Sequence, residues 1–248
     1  MQKLSNQKAW ITGGGTGIGA GAAVALAKSG AEVFVSGRRQ EPLDAVVRAV
    51  AEVGGIAHAV PLDVRNSAEV AAAAADIGVV DILLANAGLN VPKRGLSDLG
   101  VEDWDLVVDV NLNGMFYPVQ AVLPGMRAKG GGLTILISSW AGRYAGRLTG
   151  AAYNVTKRAV IALNESINGE EGAHGIRSTV IMPGEVATDI LKTRPTPPSE
   201  QDMTRMLQID DLAETVRFVA EMPPHVCLNE ILISPTWNRF YQGFDELE

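Results

Sequence analysis

An apolar run at residues 9–12, AWIT, empties into the turn GGGTGIG, and a helical pattern starts at Gly17. Strand, glycine-rich turn and helix in that order leave few folds open. Glycine at 13, 17 and 19 permits a tight turn, close approach of the backbone to a pyrophosphate, and tight packing of helix on strand. The helix start then aims its N–H groups and positive dipole end at an anion. A phosphate-bearing ligand is expected along Gly13, Gly15, Thr16, Gly17, Ile18 and Gly19. Taken alone, such a turn could equally be structural.

The rest of the chain keeps the same rhythm. Short apolar runs at 32–36, 57–62, 81–85, 133–138, 177–182 and 230–234 read as strands. Helical patterns at 17–29, 42–53, 68–77, 102–127, 152–172 and 211–221 lie between them. Such alternation implies right-handed crossovers and a mostly parallel sheet with helices on both faces. The expected fold is α/β, doubly wound and Rossmann-type, with seven strands in one domain over residues 1–248. Pro118 and Pro124 should kink or divide the helical pattern at 102–127. The Pro-rich stretch TRPTPPSEQD has too little chain after it for a second core. It reads as part of a mobile substrate loop at about 189–209.

Composition closes off several functions. A net charge of −7 with no dense basic stretch argues against nucleic acid. No run reaches the ~18 apolar residues of a membrane span, and no signal sequence is visible. A single cysteine fits a reducing, cytoplasmic compartment. The three histidines are scattered without metal-ligand spacing, so no metal site is expected.

The chemistry sits in AAYNVTKRAV, where Tyr153 and Lys157 are four residues apart. On a helix they share a face. A phenol beside an ammonium is a proton-transfer pair, because fixed positive charge favours the phenolate. Upstream stand ANAG at 85–88 and ISSWAG at 137–142. The turn spacing Gly-x-x-x-Gly-x-Gly, the Asn-Ala-Gly and the Tyr-x-x-x-Lys, in this order, resemble the short-chain dehydrogenase/reductase family. The resemblance covers almost the whole chain, from about residue 8 to about residue 234.

That resemblance implies a nicotinamide-dependent oxidoreductase acting on a carbonyl or secondary alcohol. Tyr153 becomes the general acid/base, and Lys157 holds the nicotinamide ribose and lowers the phenol pKa. Ser139 binds the substrate oxygen, and Asn111 binds a relay water. Ser138 competes for the serine role, but Ser139 is followed by Trp140, Ala141 and Gly142 as the family pattern asks. The interval from Ser139 to Tyr153 is one residue longer than the family's, an insertion assigned to RYAGRLTGA. Asp63 and Val64 would meet the adenine, Asn86, Ala87 and Gly88 would flank the cofactor, and Pro183, Gly184, Val186 and Thr188 would meet the nicotinamide. Where the family's NAD enzymes carry Asp, this chain has Gly37 followed by Arg38 and Arg39. Two guanidiniums and no carboxylate favour NADP, with NAD the alternative. Thr16 departs from the family's second NADP signal, a basic residue in that turn.

The substrate side is less legible. Trp140, Tyr144 and Glu185 are expected to line it, and Arg143 and Arg147 read as surface charges. The tail at 235–248 carries Trp237, Phe240, Tyr241 and Phe244 with little of its own to cover them. An aromatic cluster of this kind marks an interface, and the family resemblance implies a homotetramer or homodimer. A lid over a neighbour's substrate is the other use of such a tail. From a different class, a catalytically weak dinucleotide sensor or scaffold of the same fold is the runner-up.

Overall fold

The computed structural model describes residues 3–194 and 196–242. Seven strands, β1 (Lys8–Thr12), β2 (Glu32–Gly37), β3 (Ile56–Pro61), β4 (Ile82–Ala85), β5 (Gly132–Ile137), β6 (Ile176–Pro183) and β7 (Glu230–Ile233), form one sheet in the order β3-β2-β1-β4-β5-β6-β7. Every neighbouring pair is parallel. The central strands are buried on both faces and therefore apolar throughout, as ILLA in β4 shows.

Helices α1 (Gly17–Lys28), α2 (Gln40–Glu52), α3 (Ser67–Ile77), α4 (Val101–Val108), α5 (Gly114–Lys129), α6 (Trp140–Arg143), α7 (Ala151–Glu171), α8 (Glu200–Arg205), α9 (Ile209–Ala220) and α10 (Arg239–Gln242) complete the chain. Two apolar layers sandwich the sheet. One is built on α1, α2 and α9, with Leu26, Leu43 and Val216 fully buried. The other is built on α3, α5 and α7, with Val70, Met126 and Val160 fully buried. Small residues set the spacing of the first layer: a Cβ on Gly21 of α1 would come within 2.5 Å of Ile209 on α9.

The long helical pattern is interrupted elsewhere than its prolines suggest. Pro118 and Pro124 both lie inside α5, which continues through them. A helix-interior proline costs about 3 kcal/mol, but Met115, Val119, Val122 and Met126 are buried against the sheet, each contributing about 1.5–3 kcal/mol. Packing wins. The irregularity falls instead at Asp109–Asn113, a π-helical turn in which the Gly114 N–H donates to the Asp109 carbonyl. Length and hydropathy alone would let the helical run Val101–Lys129 cross a membrane; here its apolar face covers the sheet.

The strand order reverses between β1 and β4. In such sheets the carboxyl ends at the reversal open a crevice for ligands. The turn after β1 and the loop after β4 meet there.

Candidate active site

A cavity of about 620 Å³ runs along that crevice from Arg38 and Arg39 at one end to Ser139, Tyr153 and Lys157 at the other. Gly13, Gly15, Thr16, Gly17 and Ile18 form part of its wall, with Asp63, Val64, Asn86, Ala87, Gly88, Pro183, Gly184, Val186 and Thr188. Gly19 lies behind the wall and serves packing: a Cβ there would sit 2.4 Å from the Gly13 carbonyl oxygen. Gly13 itself has φ +63 and would place a Cβ 2.8 Å from the Ala87 Cα. The turn can approach the β4 loop only without side chains. Asn86 ties the two together, its Nδ2 donating to the Thr12 and Gly13 carbonyls at 3.1 and 3.0 Å.

This wall fits a dinucleotide. Thr16 makes no side-chain capping bond at the start of α1, so the first-turn N–H groups, which lack helical partners, point toward a cavity with room for phosphates. At the Arg38 end of the cavity, Asp63 already has a partner. Its carboxylate accepts from Arg65 through Nε and Nη2, at 3.1, 3.0 and 2.6 Å. The Arg65 hydrogen bond, outweighing burial, holds the Asp63 pKa below the usual range, with Arg38 adding its charge. The side chain assigned to adenine is thus already engaged by an arginine two residues on.

At the other end, each catalytic candidate is positioned by a different element. Lys157, fully inside α7, is 2% exposed, and its Nζ donates to the Ile137 carbonyl at 2.9 Å. Burial brings its pKa down to about 8. Ser138 is spent on scaffolding, donating to the Lys157 carbonyl at 2.6 Å. Ser139 caps α6 by accepting from the Ala141 N–H at 3.1 Å, and both it and Tyr153 border the cavity. Both serines border the cavity, and of the two Ser138 is the one whose hydroxyl is committed to the main chain. In the loop ahead of Gly150, Thr149 bonds the Gly146 carbonyl and the Asn154 side chain.

Two expected roles look different in the structure. Burial raises the Tyr153 pKa; the influences that lower it are the Ser139 hydrogen bond and the charges of Arg194 and Arg94. Lys157 was expected to lower it, but its Nζ is turned to Ile137, 5.6 Å from the centre of the Tyr153 ring. Asn111, in the π-helical turn, does not reach the cavity. Its carboxamide accepts from the Leu89 N–H at 2.8 Å and donates to the Leu89 carbonyl at 2.9 Å. Its carboxamide thus anchors the loop that carries Gly88 past Lys157.

The substrate wall needs more revision. Trp140 is 3% exposed and does not line the cavity. Its ring is covered by Tyr144 at 5.0 Å, Phe240 at 5.9 Å and Tyr241 at 5.2 Å between centroids. Tyr144 faces out from that stack. The tail aromatics are covered in part by their own chain: α10 folds back onto Trp140, Phe240 reaches the cavity and Trp237 lies under Arg205, while Tyr241 stays 74% exposed. Phe244 lies outside the described residues.

Glu185 does line the cavity, with its carboxylate committed. It accepts from Arg194 at 2.5 Å and from both Nε and Nη2 of Arg239, at 2.8 and 2.7 Å. Burial pushes its pKa up, but the two guanidiniums outweigh that and leave it below the usual range. Arg94 and Arg194, which no sequence spacing distinguishes, both line the cavity beside Tyr153. Arg143 and Arg147 stay on the surface, as expected.

A phenol, a hydroxyl and an ammonium at the end of a dinucleotide-sized cavity can exchange a proton with a substrate oxygen while a carbon beside it changes oxidation state. Known proteins point the same way. Residues 7–198 match the family model described as short chain dehydrogenase. An uncharacterized oxidoreductase of Staphylococcus haemolyticus is 33% identical over 239 residues, covering 95% of this chain and all of that one. An alcohol dehydrogenase from the archaeon Thermococcus sibiricus, solved with 5-hydroxy-NADP, superposes with a TM-score of 0.84 at 28% identity, over 94% of this chain and 98% of that one. A metagenomic short-chain oxidoreductase solved with NADP does so at 0.82 and 31%, over 96% and 100%.

Proposed function

Because the chain belongs to the short chain dehydrogenase family, we propose that it is an NADP-preferring oxidoreductase that interconverts a carbonyl and a secondary alcohol. The observation that carries this reading is the meeting of Ser139, Tyr153 and Lys157 at one end of a cavity whose far end is Arg38 and Arg39. The glycine turn and the start of α1 would hold the pyrophosphate, Lys157 the nicotinamide ribose, and Arg38 with Arg39 the 2′-phosphate. Pro183, Gly184, Val186 and Thr188 would floor the nicotinamide. The cofactor supplies or accepts hydride.

The chain's own part is orientation and proton transfer. Tyr153 gives its phenolic proton to the carbonyl oxygen during reduction and takes it back during oxidation. Ser139, which borders the same cavity as that phenol, donates toward the same oxygen as negative charge builds on it. The charges of Arg94 and Arg194 ease loss of the phenolic proton against the cost of burial. Asn111 keeps the loop from Asn86 to Leu89 in place.

We extend the reading to a homotetramer or homodimer, supported by exposed apolar side chains on neighbouring helices, Phe116 of α5 and Val155 of α7; sedimentation of the purified chain tests it. The function is tested by a panel of ketones, aldehydes and alcohols with NADPH, NADP+, NADH and NAD+, following nicotinamide absorbance. Turnover with a preference for the phosphorylated cofactor supports the proposal. Cofactor binding without turnover of any compound favours the sensor reading.

A further inference from the structure

The sequence suggested Trp140 for the substrate wall, and the structure puts Phe240 on the cavity instead. The Phe240 ring lies nearly parallel to that of Trp140, with 14° between planes and 5.9 Å between centroids. Trp140 directly follows Ser139 and begins α6, the helix that Ser139 caps. This contact places Phe240 at the Ser139 end of the cavity, away from Arg38 and Arg39. Trp140 is itself 3% exposed, so the ring backing Phe240 has no packed space into which to retreat.

The segment that carries Phe240 is held at several points. The Phe240 N–H donates to the Asn238 side chain at 3.0 Å, and the Tyr241 N–H donates to the Asn238 carbonyl at 3.0 Å. The Arg239 guanidinium meets two carboxylates. Its Nε and Nη2 donate to Glu185 at 2.8 and 2.7 Å, and its Nη1 lies 3.6 Å from Asp202 of α8. Glu185, in the loop after β6, also accepts from Arg194 at 2.5 Å. The residue beside Phe240 is thereby pinned both to that loop and to α8. Trp237, three residues earlier, lies 5.0 Å from the Arg205 guanidinium. A phenyl ring anchored through its neighbours and backed by a buried indole is a fixed stop at the end of a cavity.

We infer that Phe240 is a specificity-determining residue: it limits how far a substrate can extend past its carbonyl on the α10 side. The inference rests on the oxidoreductase reading above and narrows it to ketones and secondary alcohols whose arm on that side is short. Phe240 takes no part in proton or hydride transfer and acts by its volume. Replacing it with alanine removes one phenyl ring from the wall, which leaves room for one phenyl ring on the substrate.

The test measures kcat/KM with NADPH for butan-2-one and for 1-phenylpropan-2-one, 4-phenylbutan-2-one and 5-phenylpentan-2-one, in which the ring stands progressively further from the same methyl ketone. Burying one phenyl ring is worth roughly a tenfold to hundredfold factor. For at least one phenyl ketone, its ratio to butan-2-one should therefore rise by about tenfold or more in Phe240→Ala. Phe240→Leu, which keeps an apolar side chain and guards against misfolding of the alanine variant, should show a smaller rise. Tyr241→Ala is the control. It removes a ring that meets Trp140 edge-on at 5.2 Å but is 74% exposed and does not border the cavity. Its ratios should stay within about threefold of wild type, below the factor that a buried ring supplies.

Ratios unchanged in both Phe240 variants, or an equal rise in Tyr241→Ala, would overturn the size limit and leave the oxidoreductase reading intact. If no variant turns over any ketone, calorimetric titration of 4-phenylbutan-2-one into the NADP+-saturated protein decides. Binding about tenfold tighter in Phe240→Ala than in wild type would uphold the size limit and sink the oxidoreductase reading. Binding that is equal in the two, or absent from both, would overturn the size limit as well.

Discussion

Lys157→Met should make the cofactor-free protein more stable at neutral pH while removing its activity. The ammonium is buried, its pKa lowered from 10.5 to about 8 by burial alone, so at pH 7 it is charged in a place that disfavours charge. The unfolded chain holds the proton more tightly than the folded one between pH 8 and 10.5, so wild-type stability rises with pH across that window. A shift of about 2.5 units corresponds to about 3 kcal/mol. Methionine carries no charge and is free of this penalty, although it leaves the Ile137 carbonyl without its donor, a loss of about 1 kcal/mol. Urea unfolding at pH 7 and pH 10 measures the difference. The variant's advantage should shrink by about 2–3 kcal/mol on going to pH 10. Tyr153, whose raised pKa favours the folded state below its unfolded value and withdraws that support at higher pH, acts in both proteins and cancels in the comparison. A difference that does not change with pH would refute the claim that Lys157 is held at a cost for function.

Arg38→Ala should weaken NADPH binding by roughly tenfold to a hundredfold and NADH binding little, as read by fluorescence titration; equal losses would remove Arg38 from the 2′-phosphate. Glu185→Gln should destabilise the fold by about 3–5 kcal/mol, because Arg194 and Arg239 would lose the anion that bridges them. Thermal unfolding checks this, and a change below 1 kcal/mol would mean that the pair is solvated well enough without it.

The fold was legible because its signals are local. Each strand falls within one residue of the apolar run that announced it; the central strands, buried on both faces, have no polar positions to blur their ends, and the half-exposed edge strands β3 and β7 are bounded by turns. The glycine turn was legible for the same reason: Gly13 and Gly19 leave no room for a Cβ. Sequence misled where tertiary packing decides. Pro118 does not end α5, because four buried side chains outweigh its missing bond. Trp140 follows the catalytic serine in sequence, yet α6 turns its ring away from the cavity and into the tail's aromatics. Arg94 and Arg194 are a hundred positions apart (194 − 94) in unremarkable loops. Only the closing of the sheet brings them to Tyr153, and no periodicity could have shown it.

Tyr153→Phe tests the reacting centre most directly, because it deletes one oxygen and leaves the ring that packs beside Lys157. With the best carbonyl substrate and NADPH, turnover should fall to the background rate while NADPH affinity stays within about threefold, since hydride transfer without a proton donor strands charge on oxygen. Turnover near the wild-type rate would show that the proton comes from elsewhere and that Ser139, Tyr153 and Lys157 are not the reacting centre.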